Sequence, residues 1–572
     1  MNGVRVMLLV IALIMGGVRQ ERLLAAGNED IVAISASELE ATDATDVAEL
    51  LNRIPGVRAS ESSVSIRGSS NVKVLLDGRP INDPTSHSGS VKWSMISLSG
   101  IEKIVIHKGR GSVSYGDNTE GGVIVITSKK AGRIGGMVGI GAGNNGERHA
   151  DINLQGRFDR FAANLTAGAK GYDGFTVNDD KREYRTGLRL DYAPLEGTSL
   201  FLSGDYSTQE KGMRGYPGSR TPNARMGYDD YSLLFGISRN SLDGRAWFRK
   251  TLTQNSDSDR DFFSGLEVLS AGMSVDGPVS LPLAGSLKAG FGYEWQSASG
   301  SGFGAKEERR GWLHLTRLFR QKDGPWSADV GIRENIYSAF RNTLNPEAKV
   351  AWKRKPWRVE LTAGATNNLP TFRQRYNETS TTRPNPGLEM EQALNTGCSV
   401  SFAPSEKLSA ELSFFHRDIT DRITYVRASD NTGKYENFGE VIYQGVEASL
   451  SWKPSPWIEF TPSYLYLHAR NEESGLWLPA IPFHTVSGEL LLKPADGLSI
   501  RTDVKYTGKV FARTDNTDTI AGYLVAALRV DYRTGSAQFF VDIDNLFDSE
   551  YLYADGYDAP PREWEIGMNY TF

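Results

Sequence analysis

From about residue 134 to the last residue, the chain alternates apolar and polar side chains with a period of two. In the final stretch Trp564, Ile566, Met568, Tyr570 and Phe572 alternate with Glu565, Gly567, Asn569 and Thr571. Leu498, Ile500, Val504 and Tyr506 share a face with Thr502, and Ser499, Arg501, Asp503 and Lys505 take the other. Leu524, Ala526, Leu528, Val530 and Tyr532 repeat the arrangement opposite Arg529 and Asp531. Successive side chains of a strand point to opposite faces, so the pattern specifies strands with one apolar and one charged face. Sustained over hundreds of residues, it demands a very wide antiparallel sheet. Such a sheet must cap its edges or close on itself.

The connections favour closure. Short turns fall at Asp159-Arg160, Pro194 to Gly197, Ser241 to Gly244, Pro404 to Glu406, Pro454 to Pro456, Pro494 to Gly497 and Thr534-Gly535. Between them lie longer polar segments at 171–181, 208–228, 254–263, 367–391, 418–440, 469–481, 509–520 and 546–562. Short turns at one end and long loops at the other are the pattern of transmembrane barrels. About 22 strands fit into 134–572, a size at which the lumen holds a folded plug, and an even count returns both barrel ends to one side. A stack of soluble β-sandwiches would need neither this asymmetry nor tryptophans at strand ends, where Trp352, Trp357, Trp452 and Trp457 resemble an interfacial girdle. No stretch approaches the ~18 apolar residues of a helical span, so a membrane crossing by this chain is by strands. The mean hydropathy of −0.37 agrees, because only every second residue of such a barrel meets lipid.

Residues 40–130 have a different character. Leu50 to Val57 reads as a helix end punctuated by Pro55 and Gly56 before a strand. Val72 to Arg79 reads as a strand, an Asp-Gly turn and a return. Ile101–His107 and Val123–Ile126 are further strands rich in β-branched residues. This is a compact mixed α/β domain. Ahead of it, Arg5 and the unbroken run of ten apolar residues from Val6 to Met15 read as an export signal, with Ala25-Ala26 before the cleavage point.

Several function classes drop out. A net charge of −5 gives no basic face for nucleic acid. Cys398 is the single cysteine, so no internal disulfide or cysteine-based zinc motif exists. The seven histidines are scattered, which leaves no local metal-ligand spacing. Gly109-Arg110-Gly111 with Gly116 lacks the Lys-Ser/Thr ending of a phosphate loop and reads as a turn. There is no H-E-x-x-H and no G-x-S-x-G, and no enzyme is expected.

Ordered fragments along the chain resemble the TonB-dependent outer-membrane receptors. Val47 to Arg58 is similar to the family's "L-L-x-x-x-P-G-V" opening. Ile66-Arg67-Gly68 and Val74-Leu75-Leu76-Asp77-Gly78 are similar to "I-R-G … V-L-x-D-G". Ile101 to Gly109 resembles "I-E-R-I-E-V-x-K-G", and Tyr115-Gly116 with Gly121 to Ile124 resembles "Y-G … G-G-V-I". Pro370-Thr371-Phe372, Asn385 to Leu388 with Glu391, and Asn545 to Asp548 with Tyr551 and the terminal Phe572 resemble segments of the family's barrel.

The resemblance implies an all-β transmembrane barrel with an N-terminal plug in its lumen. It divides the chain into a signal peptide (1–26), a TonB-box segment (27–45), a plug (46–131) and a barrel (132–572). Asp30, Ile31, Val32, Ala33, Ile34, Ser35 and Ala36 resemble a TonB box, an extended run without a hairpin mate that adds a strand to the sheet of the energy-transducing TonB protein. Arg67, Gly68, Asp77, Gly78 and Glu102 resemble the plug core, whose charges pair with one another or with barrel carboxylates. No cofactor and no metal are implied. The expected partners are TonB, outer-membrane lipid and a small-molecule ligand bound by a monomer. The expected activity is high-affinity import of a ferric siderophore or, alternatively, a corrinoid; a passive porin or a structural barrel are the readings from other classes. Asn82, Asp83, Thr85 and His87 at a plug apex, and Arg214, Tyr216, Arg220, Arg225 and Tyr228 in a loop at 209–231, are the expected ligand contacts. Arginine with tyrosine suits a flat, anionic ligand. Haem receptors of the family place a histidine between the Pro-Thr-Phe and Asn-Pro segments, and residues 373–384 contain none.

Overall fold

The computed structural model describes residues 31–36, 38, 39, 44, 46–86, 89–216, 218–281, 285–427 and 432–572. The export signal, Asp30 and His87 lie outside these residues.

Twenty-two antiparallel strands close into one barrel, from Gly135–Gly143 to Glu563–Thr571. The last strand pairs with the first, Tyr570 opposite Val138 and Ile566 opposite Ala142. Closure leaves the wall no unpaired edge. The two-residue alternation sorts the side chains: Leu188 and Leu190 are 44% exposed on the outer face, whereas Arg189 between them is 7% exposed and points inward. The outer apolar band would be unsound in water and is what hydrocarbon requires. Near the short turns, Phe161 stacks on Tyr192 at 4.4 Å and Trp357 lies 4.5 Å from Phe402. Together with the exposed Trp452 and Trp457 they form the lower aromatic girdle.

The strands are longer than a bilayer needs. About 9–11 tilted residues cross the hydrocarbon, whereas Ala224–Arg239 has 16 residues and Phe262–Leu281 has 20. The excess rises above the membrane on the long-loop side. Both ends of the polar segment 208–228, expected as a loop, are therefore strand: Thr198–Gly212 pairs with Ala224–Arg239 as far as Gly212 opposite Arg225.

Inside the barrel sits the mixed domain. Its sheet has the order β1-β6-β7-β4-β5, with β1 at Ile31–Ser35, β4 at Val72–Leu76, β5 at Arg79–Pro80, β6 at Ile101–Lys108 and β7 at Gly122–Ser128. A hairpin of β2 (Val57–Ser60) and β3 (Ser63–Ile66) and the helix α1 (Val47–Asn52) complete it. Asp46 caps α1 by accepting from the Glu49 N–H at 2.9 Å. Only the β4–β7 pair is parallel. Ile66, Val74, Ile104, Ile106, Ile124 and Ile126 are fully buried between sheet, hairpin and α1. Asp77 and Gly78 have φ of +51° and +89°, the turn that their sequence announces.

One expectation is corrected here. The run at 31–35 has a mate: Ile31 to Ser35 pair antiparallel with His107 to Lys103. Ile34 is buried in the same core as Ile104 and Ile106. The plug sheet thus includes residues N-terminal to the boundary placed at 46.

Candidate functional site

Three regions meet where the plug touches the wall and the outer mouth. The first is a dry polar lock. Arg67, in the tight turn after β3 with φ +49°, donates from Nε to Glu447 Oε2 at 3.0 Å, and the Lys108 ammonium pairs with the other carboxylate oxygen of Glu447. All three side chains are at most 6% exposed. The Arg67 guanidinium lies 4.6 Å from the centre of the Phe415 ring. Gly68 (φ +81°) lets the turn close on the wall: a Cβ there would stand 2.6 Å from Leu467 Cδ2. Close by, the fully buried Glu120 meets Arg417 at 3.2 Å and accepts from Asn71 at 3.0 Å and Asn368 at 2.6 Å.

Burial alone would raise the Glu120 carboxyl, but Arg417 and Arg422 outweigh it and hold it below the usual carboxylate range. A carboxyl depressed by docking stabilises the docked state fully above its free value of about 4.3, and that contribution is lost as pH falls below it. We expect plug docking to weaken as the medium is acidified below this value. Hydrogen exchange of the plug amides should show it, and Glu120→Gln should be looser at neutral pH with a flatter acid dependence. An unchanged acid dependence in that variant would refute the assignment.

The second region is the plug face toward β-strand wall residues 185–205. Asp77 accepts from the Ser128 N–H at 2.9 Å and pairs with Arg189 at 3.2 Å. Arg79 is 1% exposed, and its one ion pair among the described residues, to Asp205, is long at 3.4 Å. Glu102, expected among the paired plug charges, is instead exposed on β6.

The third region is the mouth. Asn82 serves its own plug, accepting from the Val74 N–H at 2.7 Å and donating to Val72 O at 2.9 Å. Asp83 accepts from Thr85, which is buried. The carbonyl of Pro84 accepts from the Phe372 N–H at 3.3 Å. That bond ties the apex to the short helix Phe372–Tyr376 of a long connection. The Arg and Tyr residues expected as one cluster are divided by strand parity. Tyr228 points inward, 4% exposed, where Arg249 donates to its hydroxyl at 3.2 Å. Arg225 shares its face with the lipid-facing Tyr231 and Leu233 and pairs with Asp180 at 2.7 Å and Glu210 at 3.0 Å. Only Arg214, Tyr216 and Arg220 remain on the loop proper. Arg214 bonds the Tyr553 hydroxyl at 2.9 Å and lies 5.2 Å from Phe175 and 5.3 Å from Tyr557, while Tyr216 bonds Asp555 at 3.0 Å. These contacts latch two outer loops together. Arg220 is exposed.

Lys108, Glu120, Arg417 and Glu447 were not singled out from sequence. Lys108 stands in the quoted "K-G" motif, but an acid such as Glu447 is one of many polar side chains on inward strand positions, and nothing local marks it.

Comparison with known proteins agrees with this geometry. The family model described as "TonB dependent receptor-like, beta-barrel" matches residues 135–546, and "TonB-dependent Receptor Plug Domain" matches 26–123. The chain is 24% identical to the vitamin B12 transporter BtuB of Photobacterium profundum over 581 residues, 95% of this chain and 92% of that one. Among solved structures, the siderophore receptor PirA of Acinetobacter baumannii superposes with a TM-score of 0.79 at 17% identity, covering 95% of this chain and 98% of that one. The ferric enterobactin receptor PfeA of Pseudomonas aeruginosa in complex with BCV-L6 gives 0.79 at 17%, covering 96% and 100%. The FrpB iron transporter of Neisseria meningitidis gives 0.80 at 13%, covering 95% and 99%. At these identities the structures speak to fold.

Proposed function

The chain belongs to the TonB-dependent receptor family, and from that premise we propose that it imports a ferric siderophore across the outer membrane, driven by the TonB protein. The observation that carries import over passive diffusion is the plug itself. It fills the lumen and is held to the wall by buried ion pairs at Glu447 and Glu120, so an open pore is not the resting state. No covalent chemistry is required of the protein.

The ligand is captured at the mouth, by the loops around Arg214, Tyr216 and Arg220 and by the plug apex at 82–86. The pull enters at 30–36. Because β1 is an edge strand of the plug sheet, force applied there acts directly on β6. The ends of β6 and its neighbours carry the lock, through Lys108, so the same pull loosens the Glu447 grip. Once Arg67 and Lys108 leave, their hydration offsets much of the lost pairing, which lowers the cost of rearrangement relative to a dry apolar interface.

A corrinoid cargo is the second reading, favoured by the similarity to a vitamin B12 transporter over nearly the whole chain. The discriminating experiment is binding of ferric siderophores, cyanocobalamin and haem to the purified receptor, followed by tryptophan fluorescence. The siderophore reading expects a sub-micromolar response to one ferric complex, weakened about tenfold in Arg214→Ala, the size of one charge-assisted contact. Tight cyanocobalamin binding with no siderophore response would overturn the cargo and leave import standing.

A further inference from the structure

The plug is not gripped evenly around its circumference. On the side of Glu447 and Arg417 the interface is dry, with Glu120 fully buried and Arg417 3% exposed. On the side of the strands Phe161–Tyr172, Lys181–Leu195 and Thr198–Gly212 it opens into a small cleft of about 60 Å³, room for a few waters or one small anionic group. Water reaches this side: the Asp205 side chain is 36% exposed. Four basic side chains line the cleft, Arg79, Lys129, Arg185 and Arg189, against two acidic ones, Asp77 and Asp205.

Two of the guanidinium groups are held by close ion pairs, although Arg185 Nε also has no partner among the described residues. Arg185 pairs with Asp151, and Arg189 is held by Asp191 at 2.9 Å and Asp77 at 3.2 Å. Arg79 is not. Among the described residues its Nε and Nη1 have no hydrogen-bond partner, and its Nη2 reaches Asp205 only at 3.4 Å. A buried guanidinium with two idle donors carries a large desolvation cost unless something arrives to accept from it. Each idle donor adjoins Nη2, so an anion that displaces the long Asp205 contact is gripped by a fork of Nη2 with Nε or with Nη1.

We infer that this cleft is a mid-lumen station for an anionic oxygen ligand, with Arg79 as its binding residue, lying between the mouth and the periplasmic side. The inference rests on the import reading for its purpose, since a cargo's catecholate or carboxylate oxygens would meet it as the plug rearranges. The site itself is a property of the resting receptor. Gly100 and Gly187 keep its walls close and smooth: a Cβ at Gly100 would stand 3.1 Å from Thr166, and one at Gly187 would stand 2.9 Å from Asp205 Oδ1.

The test needs no cargo. Ser97 lines the cleft on the plug side and is half-buried. In a Cys398→Ala background, Ser97→Cys is labelled in purified receptor with an anionic sulfonatoethyl or a cationic trimethylammonioethyl methanethiosulfonate, each rate being divided by its rate on a free thiol. The expected result is an anionic preference of about tenfold, the factor that one partly screened charge contact supplies. Arg79→Gln in the same background should bring the ratio to about one. Should that variant not fold, raising the salt on Ser97→Cys alone should lower the preference, because water and its ions reach the cleft beside the part-exposed Asp205 and partly screen the charge there. Equal or cationic-favouring rates, a preference untouched by Arg79→Gln or salt, or no labelling by either reagent would each overturn the inference. Because no transported ligand enters the measurement, failure of the siderophore reading leaves its outcome unaffected.

Discussion

Replacing Glu447 by Ala should undock the plug from its wall. Two cations, Arg67 and Lys108, converge on this one carboxylate, and neither is more than 6% exposed. Removing one partner of a buried pair typically costs about 3–5 kcal/mol, because the remaining charge is left desolvated and unpaired. Here two charges are left, so the upper part of that range is expected. The barrel itself should persist, since its strand ladder is closed independently of the plug. Hydrogen exchange of β6 and β7 should therefore rise by about three orders of magnitude or more while that of the barrel strands does not, in line with about 1.4 kcal/mol per factor of ten. Glu447→Gln keeps hydrogen-bond acceptance but not the charge and should fall between. Plug exchange equal to the parent's in Glu447→Ala would show that the ion pairs are not what holds it.

The second large effect concerns the N-terminal strand. Ala33 stands opposite Val105 in the β1–β6 ladder, and directly opposed residues of an antiparallel pair lie within about 4.5–5.5 Å at Cβ, near the span of a disulfide. The double variant Ala33→Cys with Val105→Cys, oxidised, should bind ligand as the parent does. If energised import requires β1 to leave β6, uptake should fall by about a hundredfold or more and return on reduction, since the ladder can no longer open. Normal uptake with the staple verified intact would show that the partner acts without separating these strands. The measurement is more informative than deleting 30–36. Ile34 belongs to the plug core, so the deletion would confound a damaged plug with a lost contact.

What could be read from the residues follows the range of the interactions that fix them. The final strand, Glu563–Thr571, and the Asp77-Gly78 turn rest on local rules of alternation and turn chemistry, and both stand where those rules place them. The even barrel and its lower girdle follow from the same rules repeated. The segment 208–228 misled because strands above the membrane carry polar residues on both faces, and period two then leaves no apolar mark. Once it is strand, parity alone separates Arg225 from Tyr228. The pairing of Ile31–Ser35 with β6 spans about seventy residues of sequence, and no local signal announces such a contact. The lock is illegible for a related reason. Glu447 and Glu120 acquire their role from Arg67, Lys108 and Arg417, which the fold brings together from distant segments.

Energised import of a ferric siderophore is the activity proposed for this barrel. It is tested most directly by following accumulation of radiolabelled ferric siderophores and cyanocobalamin in cells that depend on this receptor, with the proton-motive force intact and then collapsed. Saturable accumulation of one ferric complex that stops when the proton-motive force is lost, with surface binding unchanged, is the expected result. Uptake that continues unaltered without the proton-motive force, or accumulation of cyanocobalamin alone, would contradict it, the first in its mechanism and the second in its cargo.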